Sequence, residues 1–160
     1  MSGRFRAAVL LMPLLVAGCS PAVDLKQALQ VTDVSTGFHD AGIVDGKNRL
    51  VPSVTFRVKK AAADANVSSV ALTIAFRADG ADDNLDEIFL QRVPVEGDGQ
   101  TAPITARATA GFTGEPPQSR ADMLKNAHFR DVTVKVFAKQ SSSQWIELHN
   151  VKVERRLLAQ

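Results

Sequence analysis

Residues 50–76, LVPSVTFRVKKAAADANVSSVALTIAF, hold two runs of clean alternation, and the fold follows from them. In the first, Leu50, Val54, Phe56 and Val58 fall on one side while Ser53, Thr55, Arg57 and Lys59 fall on the other. In the second, Val70, Leu72, Ile74 and Phe76 oppose Ser69, Thr73 and Arg77. Successive side chains leave opposite faces of a β-strand, so a period of two marks two half-buried strands. The polar stretch 60–67 between them is long enough for the second strand to pass to another sheet.

Working outward, residues 28–36 read as an earlier strand whose apolar phase changes near Asp33, which predicts a bulge there. Residues 37–48, with three Gly, two Asp and an Asn, read as a long loop and so as the first place to look for a site. Downstream, an acidic turn at 79–87 precedes a strand over 88–95, which Pro94 assigns to an edge or a strand end. Gly97-Asp98-Gly99 marks a turn, and 101–110 a fifth strand. Residues 111–117 read as irregular, and Ser119 as the N-cap of a helix of about two turns. Val132, Val134 and Val136 alternate in a sixth strand, 140–143 turns the chain, and 144–156 forms a seventh with a bulge at His149-Asn150. About seven short strands with one short helix predict an all-β fold, an antiparallel β-sandwich. Eight Phe, one Trp and no Tyr, with many Val and Ile, agree with strands.

The chain opens differently. Residues 7–19, AAVLLMPLLVAGC, follow Arg4 and Arg6: a positive region, a short apolar run broken by Pro13, and small residues before the only cysteine. That is the layout of a secretory signal, and the run falls short of the roughly 20 apolar residues that span a bilayer. Val16-Ala17-Gly18-Cys19 resembles the lipobox of bacterial lipoproteins. The resemblance implies cleavage after residue 18, diacylglyceryl (and commonly palmitate) modification of Cys19, and a lipid anchor in the cell envelope. In Gram-negative lipoproteins an Asp after the cysteine retains the protein at the inner membrane. Ser20 therefore implies an outer-membrane anchor facing the periplasm. The expected organisation is a signal peptide (1–18), a lipidated tether (19–26) and one domain (27–160), whose length of about 140 residues suits a single core.

Two of the 19 basic residues, Arg4 and Arg6, precede Cys19, leaving 17 against 17 acidic ones. A neutral chain without a clustered basic patch gives no reason to expect a nucleic-acid partner. With Cys19 lipidated no thiol remains for a disulfide or for nucleophilic chemistry. No G-x-S-x-G stretch occurs, and the residues point to no enzyme.

Residues 51–80, VPSVTFRVKKAAADANVSSVALTIAFRADG, resemble the paired strands of bacterial immunoglobulin-like domains of the FxLYD and late-embryogenesis-abundant (water-stress) type. That resemblance implies an immunoglobulin-like sandwich and a module that binds or spaces rather than catalyses.

For metals, His39, His128 and His149 lie far apart, without the short spacing that zinc sites usually show. His39, Asp40 and Asp45 in the 37–48 stretch are weak candidates. So are Asp82 and Asp83 within the acidic stretch, where a solvated loop is the simpler reading. No cofactor is expected. Trp145 is expected to cap the core. Phe137 falls on the polar phase beside Lys135 and Lys139, and so marks either a contact surface or cover for an open sheet end. The expected function is a non-enzymatic, lipid-anchored periplasmic module with an envelope protein as partner, reached through a sheet edge or Phe137. The alternative is a small-ligand or metal-binding lipoprotein using the 37–48 and 79–87 loops.

Overall fold

The computed structural model describes residues 23–141 and 144–159. The expected signal peptide, Cys19 and the first part of the tether lie outside the described residues, as do Ser142 and Ser143. The folded part begins earlier than the tether boundary at residue 26. A one-turn helix, α1 (Leu25–Ala28), is capped by Asp24, whose carboxylate accepts from the Lys26 amide at 3.0 Å, and it buries Leu25 in the core at 2% exposure.

The chain then forms a long hairpin, β1 (Leu29–Val44) against β2 (Lys47–Lys60). Asp45 and Gly46 make its two-residue turn, both at positive φ (52° and 74°), as the right-handed strand twist requires of such turns. The 37–48 stretch is therefore paired strand and turn, and not the expected loop. Its turn-forming residues have other uses. Asp33, at φ 53°, sits in the predicted bulge between Thr32 and Ser35, and a second bulge between Asp40 and Ile43 absorbs Gly42. These two slips break the period of two, so the sequence does not read as one strand.

The crossing expected after β2 occurs. β3 (Ser69–Ala78) lies in a second sheet, paired with β4 (Asp86–Pro94) and with β7 (Val132–Lys139), which pairs in turn with β8 (Ile146–Lys152). β5 (Ile104–Arg107), within the expected fifth strand 101–110, and β6 (Phe112–Gly114), in the stretch 111–117 expected to be irregular, both pair with β2. They are separated where Gly111 passes so close to β2 that a Cβ would stand 2.2 Å from the Leu50 carbonyl oxygen. The orders are β1-β2-β5, with β6 also on β2, and β4-β3-β7-β8, all antiparallel. With β3 changing sheet after β2 and β8 joining it through β7, the chain forms the expected all-β antiparallel sandwich. α2 (Arg120–Lys125) forms where expected, with Ser119 accepting from the Asp122 amide at 3.1 Å. The bulge in the last strand falls at Leu148, one residue before the expected place.

The core lies between the sheets. Leu50, Val54, Phe56 and Val58 of β2 and Val70, Leu72, Ile74 and Phe76 of β3 are each exposed by 2% or less, as the alternation requires. Phe38, in the stretch expected to be a loop, is fully buried and meets Phe129 edge-on at 5.0 Å. The seam between β8 and β1 is closed by the C-terminal residues. The Phe38 amide donates to the Arg156 carbonyl at 2.8 Å and the Leu158 amide to the Phe38 carbonyl at 2.9 Å. Arg156 Nε reaches the Thr36 carbonyl at 2.8 Å, and the Glu154 amide reaches Thr36 Oγ1 at 3.0 Å. Gly37 is required here, since a Cβ would lie 3.0 Å from the Arg156 carbonyl oxygen and 2.7 Å from Leu158 Cδ2.

Candidate functional site: an aromatic sheet face

Because side chains alternate, the inward set of β3 and β7 fixes what the second sheet shows to solvent. One cross-strand row contains Phe89 of β4, Thr73 of β3, Phe137 of β7 and Glu147 of β8. Phe89 is 58% exposed and Phe137 half-buried. Trp145, expected in the core, stands instead on this outer face at 39% exposure, its ring edge-on to Phe89 at 5.9 Å. Ile146, paired with Ala138, takes the inward phase and leaves Trp145 outside. Lys139 Nζ lies 5.4 Å from the Trp145 ring, a cation–π contact. Lys135 pairs with Glu147 at 3.2 Å.

Three depressions follow this face. One, of about 550 Å³, lies at the start of β3 and includes Phe89, Gln91, Arg92 and Lys139. A second, of about 280 Å³, lies among Thr73, Glu87, Phe137 and Trp145. A third, of about 360 Å³, runs from Phe137 and Lys135 toward Asn84. Phe137 was legible as an outward residue. Phe89 was hidden in the run Ile88-Phe89-Leu90, where three apolar residues in a row conceal the phase.

The β4 edge of this sheet is blunted. β4 carries a bulge at Gln91–Arg92 and ends in Pro94, two devices that spoil an edge for strand pairing. Its first residue, Asp86, is held to the first sheet by the Thr109 amide at 2.6 Å and hydroxyl at 2.9 Å. Burial works upward on the Asp86 carboxyl, but these bonds and the Glu87 amide outweigh it and hold the group below its ordinary range.

The residues weighed for metal binding are placed as follows. Asp40 pairs with Arg120 Nε at 2.9 Å and accepts from the Gly42 amide at 2.8 Å. Burial pushes its carboxyl up, and the Gly42 and Arg120 contacts bring it below the usual range. His39 is half-buried on β1, Asp45 is exposed in the hairpin turn, and Asp82 and Asp83 are exposed in the acidic loop. In that loop Asn84 donates to Glu87 and accepts from Arg77 Nε at 3.0 Å. Among the described residues, no three His, Cys, Asp or Glu side chains converge on a point that could hold a metal ion. No protein-family model matches the chain, and no curated protein matches it.

Proposed function

We propose that the chain is a lipid-anchored, non-enzymatic periplasmic module, fixed through Cys19 to the outer membrane, that uses the outer face of its second sheet to hold another envelope protein. The observation that carries this reading is Phe137, half-buried on the outer face of β7, with the groove that runs from it and Lys135 toward Asn84. A large aromatic left partly open on a central strand is costly to leave in water and is a typical anchor of an interface. The lipobox Val16-Ala17-Gly18-Cys19 supports the location. The blunted β4 edge favours contact through the face over strand addition.

A photo-crosslinking residue placed at Phe137 in intact cells tests the reading, with Thr55, on the outside of the first sheet, as the comparison. A defined adduct with one envelope protein from position 137 and none from position 55 is expected. No adduct from 137, or the same adducts from both positions, overturns the proposal.

A further inference from the structure

The start of β3 and the ends of β4 and β7 all lie at one end of the second sheet, since Ser69 pairs with Pro94 and Ala71 with Lys139. The end of β2 and the start of β1 lie at the same end of the molecule. The Ala61 amide donates to the Ala28 carbonyl at 2.9 Å, the Lys60 amide to Gly99, and the Val95 amide to Ser68. α1 therefore shares this end with Trp145, Lys139 and Arg92. Only three residues separate Cys19 from Val23, four chain steps with a reach of at most about 14 Å. The end bearing the aromatic corner is thus the end tied to the lipid.

The chemistry of the aromatic corner matches that surface, while on the rest of this end Asp24, Asp64, Glu96 and Asp98 stand among Lys26, Lys59 and Lys60. The largest of the three depressions on this face is bordered by Arg92 and Lys139, and no carboxylate is among its described lining residues. The carboxylates of the same face, Glu87 and Glu147, lie in the Phe89–Phe137 row or farther from this end, and Glu147 is paired with Lys135. Trp and Phe with flanking cations suit the headgroup level of a bilayer, where rings are half-solvated and phosphates are anionic.

We infer that the corner formed by Trp145, Phe89, Lys139 and Arg92 rests on the bilayer that holds Cys19, with its rings at the level of the phosphate-bearing headgroups. This inference rests on the lipid-anchor reading. It fixes the orientation of the domain, with Phe137 and the groove toward Asn84 turned sideways to a partner standing on the same membrane.

Trp145 is the only tryptophan in the chain and reports on itself. The lipidated mature protein, beginning at Cys19, is placed in vesicles of phosphatidylethanolamine and phosphatidylglycerol carrying brominated acyl chains. Trp145 emission is expected to be quenched by the bromines and several-fold less accessible to iodide than in detergent. The double variant Arg92→Glu/Lys139→Glu is expected to float with the vesicles but lose the quenching, while Lys139→Arg keeps it. Protein that floats with Trp145 fully open to iodide overturns the inference and leaves the anchor standing. Protein that does not float overturns the anchor, and the inference with it. Trp145 open on vesicles but shielded in native envelope fragments assigns the corner to a protein partner and also overturns the inference.

Discussion

Asp131 holds the base of the second sheet to the end of the chain. Arg155 Nε donates to one of its carboxylate oxygens at 2.6 Å and Lys152 Nζ to the other at 2.6 Å, while its carbonyl accepts from the Asp79 amide at 2.8 Å. Arg155 also donates to the Phe129 carbonyl at 2.7 Å and lies 5.6 Å from the Phe129 ring. Hydrogen bonds from Arg155, then from Lys152, pull the Asp131 carboxyl below its ordinary 3.8, against a smaller upward push from burial. A group depressed in the folded state stabilises above its unfolded pKa, and that contribution is lost as pH falls through the folded one. The raised Lys152 is the other half of the same pair and adds no second contribution at acid pH. Asp131→Asn is therefore expected to lower stability at neutral pH and to lose less on acidification below about pH 4 than the parent chain. Urea unfolding followed across that range checks it, and equal slopes would remove Asp131 from the acid response.

At the scale of elements, the C-terminal segment decides whether β1 is an open edge. Two backbone hydrogen bonds at Phe38 and two side-chain bonds at Thr36 tie it to the first sheet. A chain ending at Arg155 keeps the Glu154–Thr36 bond and loses the other three, so at about 1 kcal/mol net for each bond it is expected to lose roughly 3 kcal/mol of stability. It should also lose amide-exchange protection at Phe38 while keeping it at Ile74 in the centre of β3. Equal protection at Phe38 in the two chains would show that the seam closes without the tail. This segment also shows what was legible beforehand. β2, β3 and β7 could be read because one face is buried along their whole length, so the period of two survives. β1 could be read only to Thr36, because two bulges shift its phase and its glycines serve a turn, a bulge and the tail contact. Asp45-Gly46 did carry a hairpin signal, a two-residue turn between extended runs, but the neighbouring Gly42 and Asp40 masked it. The site was legible at Phe137, whose neighbours set its phase. It was not legible at Trp145, which follows a turn that resets the phase and precedes a bulge at Leu148. The convergence of Phe89 and Trp145 depends on pairing across β3 and β7, which the sequence of neither strand contains.

For the whole molecule, the proposed anchor puts the main hold on a membrane at Cys19, since the charge after Cys19 is balanced, with 17 basic residues against 17 acidic ones. A single acyl chain gives only marginal binding, and two or three make it stable. Cys19→Ala is thus expected to abolish palmitate labelling and release the protein from the membrane fraction. A variant still firmly membrane-bound would show that another part of the chain is the anchor. The tail contact bears on the order of events during folding. Glu154 and Thr36, joined by a hydrogen bond, are 118 residues apart, so the first strand meets its last partner only when nearly the whole chain is present. Closing so long a loop is slow, and proteins dominated by distant pairings fold slowly. A chain emerging from its N-terminus, whether from a ribosome or through a translocation pore, leaves this seam open until its final residues arrive. The contacts at Thr36 and Phe38 are therefore among the last that such a chain can make.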